Sequence, residues 1–110
     1  MFHKKLIKLI SGKYRLIYIR GESMLPTLRN GQIVWVDYSK ETLNNLKIGD
    51  VVLFKNPFGK NLIVKRIVRV DKNKGFWMKG DNKNILESTD SGTFGHVKFE
   101  LLKGKICIRK

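Results

Sequence analysis

Apolar and polar positions alternate over residues 32–38, with Ile33, Trp35 and Asp37 on one side and Val34, Val36 and Tyr38 on the other. A period of two in a stretch rich in β-branched and aromatic residues predicts a strand. Residues 14–19 read as an earlier strand. Residues 50–55 and 61–70 form two more, separated by Asn56-Pro57-Phe58-Gly59-Lys60, whose proline and glycine predict a hairpin-type loop. Within the second of these, Ile63, Lys65 and Ile67 share one face. Residues 39–49 are polar around a Leu43/Leu46 pair and predict a loop or one helical turn. A turn over 71–75 leads into a short strand at 75–79. The Asp, Asn, Ser and Gly content of 80–95 predicts a loop, and short strands at 96–99 and 105–109 close the chain. The sum is an all-β domain, mostly antiparallel, of Greek-key or partly closed barrel type, with at most short helical segments.

A chain of 110 residues supports one domain with one modest core, and nothing in it repeats or marks a linker. The division is a basic N-terminal segment, 1–13, followed by a single β domain, 14–110. In that segment Phe2, Leu6, Ile7, Leu9 and Ile10 are interrupted by Lys4, Lys5 and Lys8. The run is far short of the roughly 20 apolar residues a membrane span requires, and no secretory cleavage signal follows it. It fits a frayed, solvated helix and an amphipathic turn on an anionic bilayer equally well. The 23 Lys and Arg against 9 Asp and Glu give a formal charge of +14. Such a balance favours an anionic partner without choosing among nucleic acid, acidic lipid and acidic protein. A single cysteine, Cys107, excludes an internal disulfide and reads as a packed thiol. One Cys and two scattered His provide no metal-ligand spacing, so neither a metal nor another cofactor is expected.

The candidate chemistry lies in Gly21-Glu22-Ser23-Met24-Leu25-Pro26-Thr27. Gly21 permits a tight approach and Pro26 biases Leu25 away from helix, so Ser23 is expected on a turn. A capping or solvated hydroxyl is the common use of such a serine. As a nucleophile it would need a base, and the candidate is Lys65, because burial between Ile63 and Ile67 would disfavour its ammonium form. On periodicity alone, Lys65 also fits an edge strand, its stem over apolar residues and its head in water. His3, near the terminus, and His96, after a glycine, fit a catalytic triad poorly. The backbone N–H of Ser23 is the first candidate donor for an oxyanion.

The serine segment resembles the nucleophile box of the signal peptidase I family, with Ser-Met-x-Pro-Thr after a small residue. Three further blocks follow in that family's order. Residues 49–54 resemble its second strand, Val64-Lys65-Arg66-Ile67-Val68 its lysine box, and Gly80-Asp81-Asn82 with Ser88-Thr89-Asp90-Ser91 its last box. Four ordered blocks carry far more weight than one Ser-Met pair. The resemblance implies a signal-peptidase-like fold and a Ser23–Lys65 dyad, with Ser88 and Asp90 supporting the lysine. It implies a pocket for the residue before the cut built from Ile19, Gly21, Met24, Leu28 and Val64. Two features depart from the family: a longer spacer at 83–87, and Gly92 where an arginine is usual.

The implied activity is that of a soluble serine endopeptidase, cytoplasmic or membrane-peripheral, that removes a leader or propeptide from a precursor protein. Ser88-Thr89-Asp90-Ser91 followed by Phe94-Gly95-x-Val97 is similar to the small members that mature nickel-type superoxide dismutase. Two other functions remain open on the sequence. One is the autoprotease domain of self-cleaving repressors, which shares dyad and fold. The other is a non-enzymatic basic β domain that stacks nucleic-acid bases on Trp35, Phe54, Phe58 and Trp77, although the motif order argues against a specific nucleic-acid partner.

Overall fold

The computed structural model describes residues 13–84 and 91–108. Six strands form one antiparallel sheet: β1 (Tyr14–Tyr18), β2 (Ile33–Asp37), β3 (Val51–Lys55), β4 (Leu62–Asp71), β5 (Gly75–Lys79) and β6 (Leu102–Ile106). Their order across the sheet is β1-β2-β6-β3-β4-β5. Two single-turn helices, α1 (Lys40–Leu43) and α2 (Ser91–Phe94), and a 3₁₀ turn (Phe99–Leu101) complete it. This is the all-β, mostly antiparallel architecture that the residue pattern predicts and the signal-peptidase-like fold that the resemblance implies.

The centre of the sheet is β3, and its sequence shows why. Val51, Val52, Leu53 and Phe54 are all at most 3% exposed. Alternate residues point to opposite faces, so an unbroken apolar run requires cover on both. Val51 and Leu53 join Ile19, Met24, Leu28, Val34, Val36 and Ile106 in one core cluster. Val52 and Phe54 join Ile63, Ile67, Met78, Val97 and Leu102 in the other. The sheet thus has a core on each side.

The C-terminal strand β6 welds the two halves of the chain, pairing with β2 on one side and β3 on the other. A Cβ on Gly104 would lie 2.5 Å from Val36 Cγ1 and 2.9 Å from the Asp37 carbonyl oxygen, so only glycine lets β6 come this close. Ser39 caps α1, its hydroxyl accepting from the Thr42 N–H, which gives the single helical turn expected there.

The end of the chain differs from the sequence expectation. Residues 96–99 form no strand; only Val97 bridges, to Phe76. The last strand is Leu102–Ile106, three residues earlier than the alternation around Ile106 and Ile108 suggests. The physical reason is Gly104: it reads as a breaker, yet it is the close-approach point of the strand. The loop over 80–95 also contains α2, whose Phe94 ring meets Phe54 edge-on at 6.1 Å.

Phe54, with no exposed surface, tests this double-sided packing. Phe54→Ala is expected to cost about 3–5 kcal/mol in urea denaturation, the range for truncating a buried aromatic. A cost under about 1 kcal/mol would show that β3 is not the centre of the core.

Candidate active site

The segment that carries Ser23 grows out of the end of β1. Beyond Tyr18 the pairing with the β2 side continues through Ile19, whose N–H donates to the Gln32 carbonyl and whose carbonyl accepts from the Gly31 N–H, both at 2.8 Å. The chain then turns at Gly21, where φ is +83°, a left-handed conformation that favours glycine. Asn30 Oδ1 accepts the Gly21 N–H at 2.8 Å. Met24 and Leu28, 3% and 1% exposed, pin the following turn into the core, leaving Ser23 half-buried between them and Gly21.

Lys65 comes from β4, opposite Val52 of β3. Ile63, Lys65 and Ile67 are all buried, and Lys65 is only 2% exposed. Its Nζ lies 2.6 Å from Ser23 Oγ, within hydrogen-bond reach.

A second set of contacts braces these two segments, and sequence reasoning had not singled it out. Arg66 follows Lys65 but points to the other face, where Nε donates to Asp81 Oδ1 at 2.8 Å and Nη2 to Oδ2 at 2.7 Å. Thr27 Oγ1 also donates to Asp81 Oδ2, at 2.5 Å. Asp81 therefore ties the residue beside the lysine to the end of the Ser23 turn. Next to it, the Asn82 N–H donates to the Ser23 carbonyl, and Asn82 Nδ2 to the Glu22 carbonyl, each at 2.9 Å. A Cβ on Gly80 would stand 2.7 Å from the Ser23 carbonyl oxygen. The Gly-Asp-Asn block was visible in the sequence; its bracing role was not, because contacts over 15 to 60 residues leave no periodic trace.

A groove of about 430 Å³ opens at Ser23. One bank is residues 17–24, and the other is Leu53, Asn56 and residues 61–65. Ile19, Gly21, Met24 and Val64 line it, as the resemblance implies. Leu28 does not: it packs beneath Met24 in the core. Ser88 and Asp90 lie outside the described residues, as do His3 and nearly all of the basic N-terminal segment. Ser91, from the same block, is buried and accepts the Met78 N–H at 2.7 Å. His96 packs on Trp77, with ring centroids 4.8 Å apart, and does not line the groove. The four aromatic residues do not form one stacking platform: Phe54 is fully buried, while Trp77 is covered by Arg69 at 4.8 Å. Among the described residues no cluster of His, Cys, Asp and Glu could hold a metal, and no helix is long and apolar enough to cross a membrane.

Burial works against the charge of Asp81, but the hydrogen bonds from Arg66 and Thr27 and the guanidinium's charge together outweigh it and hold the carboxyl below its ordinary value. A carboxyl depressed in the folded state adds stability above its unfolded value, near 4, and loses it as pH falls through the folded one. Urea unfolding of the wild type should therefore weaken as pH drops from about 5 toward the depressed value, and Asp81→Asn should flatten that limb. Parallel pH profiles for the two proteins would remove Asp81 as the brace.

Residues 2–94 match the model of the peptidase S24-like family. The chain is also 30% identical to subunit 1a of the mitochondrial ATP-independent inner membrane protease of Arabidopsis thaliana, over 84% of this chain and 67% of that protein. It is 27% identical to mitochondrial inner membrane protease subunit 1 of Xenopus tropicalis, over 86% of this chain and 67% of the relative. The human subunit 1 shows 27% identity over 86% and 68%. The signal peptidase resemblance is thereby widened to the S24/S26 superfamily. The chain belongs to the peptidase S24-like family and is a serine peptidase, a hydrolase of peptide bonds.

Proposed function

We propose that the protein is an endopeptidase in which Ser23 is the nucleophile and Lys65 the general base, and that it removes a leader from a precursor protein. The observation that carries this reading is the 2.6 Å contact between Lys65 Nζ and Ser23 Oγ, made by a lysine only 2% exposed. A serine hydroxyl attacks poorly unless its proton is taken, and a lysine can take it only while neutral. Ser23 Oγ bonds to the scissile carbonyl carbon as its proton passes to Lys65 Nζ, and the carbonyl oxygen becomes an oxyanion facing the Ser23 N–H. The C–N bond then breaks, Lys65 returns the proton to the departing amine, and an acyl-Ser23 ester remains. Water, deprotonated by Lys65, hydrolyses that ester.

The substrate enters as an extended strand between the two banks of the groove, where backbone hydrogen bonds supply affinity and Ile19, Met24 and Val64 supply selectivity. The similarity of residues 88–91 and 94–97 to the small maturation proteases makes the leader of a nickel-type superoxide dismutase the first precursor to try.

A bilayer contact accompanies this reading. Leu16, Tyr18 and Ile33 are 56%, 55% and 62% exposed. They share one face of the β1–β2 pair, since Tyr18 faces Ile33 and Leu16 faces Trp35. With a net charge of +14 on the chain, that apolar face suits an anionic bilayer.

Ser23→Ala and Lys65→Ala are each expected to lower precursor cleavage by at least about a thousandfold, with the double variant no worse than either, since the two act as a unit. Activity should rise with pH along a limb set by the lysine, and a His3→Ala/His96→Ala variant should keep that limb. A folded Lys65→Ala protein that cleaves near the wild-type rate, or a histidine-free one that folds and is inactive, would overturn the dyad. Sedimentation with phosphatidylserine vesicles should show binding that weakens as salt rises and is lost in Tyr18→Ser/Ile33→Ser. Equal binding to neutral phosphatidylcholine vesicles, or no effect of that variant, would remove the bilayer contact.

A further inference from the structure

We infer that Asn82 is a positioning residue that aims the Ser23 N–H into the groove by clamping the peptide plane between Glu22 and Ser23. The inference rests on the proposed role of Ser23 and adds to it the residue that orients its oxyanion donor.

A trans peptide unit is planar, and its C=O and N–H point in opposite directions. Whatever fixes the Glu22 carbonyl therefore fixes the Ser23 N–H as well. Asn82 Nδ2 donates to that carbonyl at 2.9 Å. The only other donor recorded to it among the described residues is the Leu25 N–H, at a longer 3.2 Å. Asn82 does not line the groove, whereas Glu22 and Ser23 do. With the carbonyl drawn toward Asn82, the N–H is turned the other way, toward the groove. Among the described residues no acceptor is recorded for the Ser23 N–H, as suits a donor kept for a developing oxyanion.

The clamp is itself held in one orientation. The Asn84 N–H donates to Asn82 Oδ1 at 2.9 Å, so the side-chain oxygen faces Asn84 and the NH₂ faces Glu22. The Asn82 backbone N–H separately donates to the Ser23 carbonyl at 2.9 Å, on the next peptide unit. One residue thus grips two successive carbonyls, and only one of the two grips depends on its side chain. Replacing the side chain releases the oxyanion-donor plane while leaving the backbone contact that seats the loop.

The test uses the full-length protein, a fluorogenic peptide selected for turnover by the wild type, and a peptide boronic acid with the same acyl sequence. Asn82→Asp keeps the size and the acceptor for Asn84 but cannot donate to Glu22; Asn82→Ala removes both. Each is expected to lower kcat by about ten- to a hundredfold, less than the loss of an oxyanion donor outright, with KM changed less than about threefold. Affinity for the boronate, which mimics the tetrahedral intermediate, should fall by the same factor as kcat/KM. Binding of the uncleaved peptide should be equal in Ser23→Ala and Ser23→Ala/Asn82→Ala, which also shows that the groove is intact. Asn82→Asp turning over within twofold of wild type, or a loss confined to KM, overturns the clamp alone. Full cleavage by Ser23→Ala overturns the dyad and the clamp with it.

Discussion

An amine buried to 2% exposure beside a serine hydroxyl is the constraint on which the rest of this small fold depends. Burial strips an ammonium of hydration, and an exposed lysine is a cation rather than a base. The sheet meets both demands by making Lys65 the middle member of an otherwise apolar row on β4. Beside that row, β3 is packed on both faces by the two core clusters, and β6 pairs with its edge away from β4. The glycine that lets β6 in, Gly104, is far from the site in sequence yet helps hold β3, the strand beside the lysine, in place.

Burial alone does not align two atoms from segments 42 residues apart. The alignment comes from the loop after β5, which touches both segments. Asp81 reaches Arg66 on the lysine strand and Thr27 on the nucleophile turn, while Gly80 and Asn82 lie directly on the backbone of Glu22 and Ser23. Three consecutive residues thus close a triangle whose other corners are the Ser23 turn and the Lys65 strand. Each corner by itself is an ordinary turn or strand; the reactive geometry exists only where the three meet.

How much of this could be read from the chain follows from the range of each interaction. Strands β1 to β5 were legible because alternation, or in β3 an unbroken apolar run between turn residues, is a local signal that the core reinforces. The row Ile63, Lys65, Ile67 was legible for the same reason, and it gave the candidate base. The last strand was misplaced because Gly104 carries opposite meanings locally and globally: a breaker by propensity, a point of strand contact in the sheet. Leu28 was assigned to the groove, yet it fills the core under Met24, since apolarity does not distinguish a pocket wall from the layer beneath it. The members of the Arg66–Asp81–Thr27 network stood in the blocks that carry the resemblance, but their pairing left no local trace, because a contact across 15 or 54 residues is decided by topology, not by pattern.

The brace also settles an electrostatic conflict. Arg66 is adjacent in sequence to the proposed base, and an unneutralised guanidinium there would add its field to the burial that already disfavours a second positive charge nearby. The strand sends Arg66 to the opposite face from Lys65, and Asp81 takes it as a two-pronged ion pair, giving the guanidinium a counter-charge. What Lys65 meets from the Arg66–Asp81 pair is therefore close to a neutral dipole. Much of the +14 of the whole chain is spread over exposed lysines and arginines, where solvent and salt screen it. A strongly basic surface and a buried lysine coexist in 110 residues because the cation closest in sequence is matched by an anion, while most of the others described sit in water.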